Sequence, residues 1–239
     1  VRKLTRLELS LDSRKSLYKR TQECNSAATA RVMWKAFRQS REISPIVETL
    51  QLMAGNRQRC AYCSDSRASD IDHYKPIDTY YPSTFTWKNM FWVCAACNRV
   101  KWAKFPVSAN GDPLLIDPSK VDPWKHLTLD TASGFIAPRY VGEHFDLMGE
   151  ATLQVLPTIN HEAVAEGRAR ICRRVLSAVN AVNLEPTAQA VSTLLSEVSQ
   201  DDVGVSRWFG YWEGAGEAEM LLLKETRGMI WRRFLRACM

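Results

Sequence analysis

Two C-x-x-C pairs, Cys60/Cys63 and Cys94/Cys97, constrain this chain more than any other feature. Each pair can set two thiolates on one side of a tight turn. Four such sulfurs suit a tetrahedral Zn²⁺ with Zn–S distances near ~2.3 Å. The thirty residues between the pairs must then close into a loop or a small subdomain. The other cysteines, Cys24, Cys172 and Cys238, stand apart and read as small buried hydrophobes. The total of seven is odd, which argues against a disulfide framework. Structural zinc at Cys60, Cys63, Cys94 and Cys97 is the expectation. Zinc by itself specifies no function, because ribbons, fingers and knuckles share the arrangement.

The rest of the chain divides into four regions. Hydrophobic residues are 46% and charged residues 24% of 239, an ordinary globular composition. No apolar run approaches the ~18 residues that span a bilayer. No apolar stretch follows Arg2, Lys3 and Arg6, so neither a secretory signal nor a membrane partner is expected, and the cytoplasm is the expected compartment. Residues 1–58 read as a basic helical region. Ser26 is expected to cap a helix carrying Ala30, Met33, Trp34 and Phe37 on one face. Ser44 is expected to cap a second, with Pro45 in its first turn and Gly55 at its end. Residues 59–106 hold the cysteines and an aromatic cluster at irregular spacing. Residues 107–158 are Pro-rich and read as loops and short strands. Their "DPWKHL" segment carries no evident chemistry, and His126 in it reads as structural. Residues 159–239 read as helical again. Asn160 is the expected first cap, Pro186 opens a second helix, and a last one runs over 216–237 with Arg227 interrupting its apolar face. The fold class is α+β: a mostly helical chain around a small zinc-stapled unit.

Chemistry concentrates inside and just behind the cysteine window. Asp72-His73 follows Cys63 by nine residues, on a short strand around Ile71 that Pro76 ends. Asn89 comes sixteen residues after His73, Asn98 directly follows Cys97, and Lys101 lies one helical turn further on. Phosphodiester hydrolysis needs a base to take a proton from water. It also needs a cation to offset developing charge, and a group that orients the base. His73 can be that base, and its strand neighbour Asp72 faces the opposite side, where it can bind a metal. Asn98 offers a second oxygen. An Asp/Asn oxygen pair suits Mg²⁺ or Mn²⁺. Asn89 can fix the base, and Lys101 and Arg99 can approach nucleic acid.

The segments C-A-Y-C, D-I-D-H-Y-K-P and W-K-N-M-F-W-V-C-A-A-C-N-R-V-K together resemble an HNH endonuclease of the ββα-metal type. The family pattern is a DH pair on the first strand, an Asn in the following loop, and His or Asn at the start of the helix, with two zinc knuckles in many members. The resemblance implies that His73 activates water, that Asp72 and Asn98 hold the catalytic Mg²⁺, and that Asn89 positions the base. It covers about 45 residues of the chain. Asn rather than His at the third motif position favours Mg²⁺ over a transition metal. More loosely, the opening "VRKLTR", the central segment, "LLIDPSKVDPWKHL" and the helical tail resemble the HNH subunit of Septu-type anti-phage systems, including retron-associated ones. That likeness implies an ABC/SMC-like ATPase partner in a higher-order complex.

Charge distribution supports a polyanionic partner. Net charge is +8 over residues 1–59, +2 over 60–104 and −4 over 105–239. Lys and Arg of the basic segment can contact phosphates. Trp87, Phe91, Trp92 and Trp102 can stack on bases or pack the back of a small unit; the packing role is expected for at least three of the four. DNA rather than RNA is the expected substrate. The competing reading is a zinc-ribbon module that binds nucleic acid or protein without chemistry. The joint presence of Asp72, His73, Asn89 and Asn98 favours the enzyme.

Overall fold

Serine caps start the first two helices. A computed structural model of the chain describes residues 1–64 and 67–238. Ser10 caps α1 (Leu11–Glu23) through the Ser13 amide, and Ser26 caps α2 (Ala27–Arg38) through the Thr29 amide. Ala30, Trp34 and Phe37 form the buried stripe of α2, as their spacing requires. α3 (Ser44–Ala54) departs from expectation at its start. Ser44 is its first residue, not its cap, because a short 3-10 turn, Arg41–Ile43, feeds straight into it. Its end is as read: Gly55 takes φ +78°, a conformation that costs glycine little.

β1 (Asp70–His73) pairs antiparallel with β2 (Met90–Val93), setting Asp72 opposite Phe91 and His73 opposite Met90. The short helix α4 (Ile77–Tyr80) and two 3-10 turns make the connection between them. α5 (Ala95–Lys101) follows β2 directly, so the second cysteine pair lies across the strand–helix junction.

The Pro-rich region holds more order than its composition suggests. It contains the hairpins β3 (Leu127–Leu129)–β4 (Ile136–Pro138) and β5 (Tyr140–Val141)–β6 (His144–Phe145), followed by a helix the Pro spacing hides, α6 (Leu147–Val155). The "DPWKHL" segment is a clamp. Asp122 accepts from Arg207 and Trp212, the fully buried Trp124 donates to the Gly204 carbonyl, and His126 pairs with the α6 cap Asp146.

Five helices complete the chain: α7 (Glu162–Leu184), α8 (Ala188–Ser199), α9 (Val205–Tyr211), α10 (Ala218–Thr226) and α11 (Gly228–Ala237). His161 caps α7, displacing the expected Asn160, whose side chain instead bonds the Ile136 backbone at both ends. The helix expected over 216–237 is two helices. Arg227 sits at their junction at φ −131°, so the interruption of the apolar face is a break in the backbone.

Two apolar cores result, and β2 separates them. Met90 and Trp92 pack with Ile71 and the three N-terminal helices. Phe91 and Val93 pack with the cysteines and the C-terminal helices. Alternation along one strand thus faces both cores. No helix of the described residues is long and apolar enough to cross a membrane.

Candidate active site and metal centre

The cysteine cluster is built by backbone geometry first. Cys60, Cys63, Cys94 and Cys97 are all buried, and their sulfurs lie within 4.8 Å of one another. Tetrahedral zinc with Zn–S of ~2.3 Å needs sulfur pairs about 3.8 Å apart. Cys63 and Cys94 are at 4.0 Å, within reach of that value and far from a disulfide. The Tyr62 amide donates to Cys60 Sγ, and the Cys97 amide to Cys94 Sγ. Such N–H···S bonds orient thiolates toward a shared cation. Burial raises the Cys60 thiol well above its ordinary range, so thiolates here need a cation to offset their charge. The four cysteines could hold a zinc ion. Sequence spacing gave no signal for one neighbour: Thr158, sixty-one residues beyond Cys97, puts its hydroxyl 3.1 Å from that sulfur.

Beside this cluster, β1, α2 and α5 enclose an open groove of about 500 Å³. Asp72, His73, Asn98 and Arg99 all line it; Asn89 and Lys101 do not. His73 is buried against the ring of Trp34, with centroids 4.4 Å apart in an edge-on arrangement. Its Nε2 lies 2.9 Å from the Thr84 carbonyl. A carbonyl only accepts, so Nε2 carries the proton and Nδ1 is left with its lone pair. Burial, helped by Lys101 and Arg38, lowers the His73 pKa to about 4, so the ring is neutral near pH 7.

Asp72 occupies the other face of β1. Tyr62 donates to it at 2.6 Å, and the Lys101 ammonium lies 3.0 Å from Oδ2 and 3.3 Å from Oδ1. Burial raises the carboxyl's pKa, while Lys101 and the Tyr62 hydroxyl pull it back. The backbone amide of His73 also donates to this carboxylate, so Tyr62, Lys101 and His73 all engage it. Asn98, half-buried on α5, has no side-chain hydrogen bond among the described residues. Asp72 and Asn98 both line the same groove, the one bringing a carboxylate and the other an amide oxygen. That donor set fits Mg²⁺, which keeps most of its shell for water and phosphate.

Two expected roles change with position. Lys101 is fully buried, held by Asp72 and by the His73 carbonyl at 2.7 Å, and so does not approach a phosphate. Arg2 and Arg6 of the basic segment are likewise spent internally. Arg2 closes α3 through the Ala54 carbonyl, and Arg6 binds the Met90 carbonyl while covering the Phe91 ring. Arg99 is exposed on the groove, joined by Arg31 and Arg38 of α2. Asn89 lies behind the groove. Its amide accepts from the Lys75 amide and donates to the Lys75 and Ser83 carbonyls, tying the start of the β1–β2 connection to its end. The contribution of α2 was not legible in the sequence, since Trp34 reads there as ordinary core.

The chain is 28% identical over 113 residues to the Septu protein PtuB of Bacillus thuringiensis. The matched stretch covers 45% of this chain and 39% of that protein. No family model and no solved structure matches.

Proposed function

We propose that this chain is a metal-dependent endonuclease of the HNH type, with DNA rather than RNA as the expected substrate, and the effector of an anti-phage defence complex. The observation that carries the enzyme reading is the His73 ring. It is neutral, its tautomer is set by the Thr84 carbonyl, and it lines one groove with Asp72 and Asn98. Nδ1 of His73 takes a proton from water. Asp72 and Asn98 would hold Mg²⁺, which when bound offsets charge on the phosphate and the leaving oxygen. Asn89 acts at a distance by fixing the loop that presents the Thr84 carbonyl. Arg99 meets the nucleic-acid backbone. The zinc at Cys60, Cys63, Cys94 and Cys97 is structural: it holds β2 and α5 so that Asn98 faces β1.

The defence role rests on the likeness to the Septu protein and on the sequence resemblance described above. By that resemblance an ABC/SMC-like ATPase restrains the nuclease until it is triggered. One observation favours the competing reading of a non-catalytic zinc module: Asp72 is engaged by Tyr62 and Lys101.

A cleavage assay separates the two. Wild type and His73→Ala are incubated with supercoiled plasmid and with structured RNA, with and without added Mg²⁺, alone and with an ABC/SMC-like ATPase of the kind the resemblance implies. Cleavage that needs both Mg²⁺ and His73 is expected. Equal cleavage by His73→Ala would remove His73 as the base, and no cleavage in any arm would favour the binding module.

A further inference from the structure

Among the aromatic residues in and around the cysteine window, Trp102 alone is given to solvent. Phe91 and Trp92 are buried, and Trp87 donates to the Leu7 carbonyl across a packed contact. Trp102 is 75% exposed and lines the same groove as His73 and Asn98.

Its backbone is held in an unfavourable conformation. Trp102 has φ +45° and ψ −123°, and the Lys104 amide donates to the Lys101 carbonyl at 2.8 Å. That is the first corner of a type II′ turn, a position suited to glycine. A bulky side chain there carries strain, and an indole this exposed recovers little of it by packing. The turn's position is fixed from behind, because Lys101 is anchored on Asp72 and on the His73 carbonyl. Trp102 is therefore an exposed aromatic plate carried on an anchored turn at the groove, beside the exposed Arg99. Bases stack on such plates, but a base within a duplex already has both faces covered by its neighbours.

Building on the nuclease reading above, we infer that Trp102 stacks on an unpaired base next to the phosphate at His73, so that the groove takes single-stranded nucleic acid. Arg99 would then meet the backbone of that strand.

The test uses His73→Ala, expected to bind without cutting, and an oligonucleotide carrying 2-aminopurine, both as a single strand and within a duplex. Single strand is expected to bind more tightly than duplex, with quenching of the 2-aminopurine. Adding Trp102→Gly should weaken single-strand binding roughly 5- to 100-fold, the range of one lost stack, and abolish the quenching. Trp102→Phe should restore most of both. Because glycine suits the turn, Trp102→Gly should melt no lower than its parent, so weaker binding could not be ascribed to misfolding. Duplex preference, or unchanged single-strand binding by Trp102→Gly, would overturn the inference. The enzyme reading fails separately, if the chain with intact His73 cuts neither form in Mg²⁺ with the ATPase present. Trp102-dependent quenching that survives such a result would keep the stacking site and assign it to a binding module.

Discussion

Lys101 shows how one buried charge can look like a substrate contact in sequence. Its position three residues after Asn98 suits a phosphate contact, yet the ammonium has no exposed surface and faces Asp72. Removing one member of a buried ion pair leaves the other uncompensated, at a cost of about 3–5 kcal/mol. Lys101→Met should therefore lower stability by that order in a denaturant titration. Combining it with Asp72→Asn should recover part of the loss, because no lone carboxylate remains. A Lys101→Met protein with wild-type stability and weaker nucleic-acid binding would return this residue to the surface role. Asn89 makes a second case. Asn89→Ala deprives the Lys75 amide and the Lys75 and Ser83 carbonyls of their partner, worth about 1–3 kcal/mol when such groups stay buried. Under the nuclease reading, cleavage should fall with it although Asn89 lies off the groove.

At the scale of elements, the junctions carry the constraint. Gly134 precedes β4 at φ +74°, and a Cβ there would lie 1.9 Å from the Ala165 carbonyl oxygen of α7. The same Gly134 carbonyl accepts from the buried Arg168, which also bonds the Ile159 carbonyl. Gly134→Ala must displace α7 from the β3–β4 hairpin. A fall in melting temperature of at least several degrees is expected, since about 1 kcal/mol shifts a domain of 150–250 residues by ~2–4 °C. Arg2 and Arg6 make the complementary prediction. Each is anchored on carbonyl groups, so Arg6→Ala should lower stability and leave affinity for an oligonucleotide unchanged within twofold. A selective loss of affinity would show instead that the basic segment touches the ligand.

Across the whole molecule, the cysteine cluster belongs to the larger core. Cys60, Cys63, Cys94 and Cys97 belong to the same core as Trp124, Val175 and Phe209, and β2 joins that core to the N-terminal one through Met90 and Trp92. Metal binding in such a site is part of the folding free energy. Cys94→Ser, or prolonged chelation, should lower zinc content and the melting temperature of the entire chain together. Tryptophan fluorescence and far-UV circular dichroism should then report one shared transition. Two separated transitions, or a stable zinc-free Cys94→Ser protein, would show that the cluster is peripheral to folding.

The cysteine window, the short strand at Ile71, the caps at Ser26 and Gly55 and the α+β class were all legible in the sequence. Each depends on local rules: ligand spacing, alternation, and the conformations that serine and glycine permit. The hidden features have long-range causes. Thr158 reaches Cys97 from sixty-one positions away, α2 lays Trp34 against His73, and the Thr84 carbonyl sets the imidazole tautomer. The break at Arg227 and the loss of Asn160 as a cap belong with them, because a tertiary contact or packed neighbour can outweigh a local preference of under about 2 kcal/mol. Sequence by itself determined which residue types stand at the candidate site. Only the tertiary structure decided which of them face the groove, because burial and partner choice arise where elements distant in the chain meet.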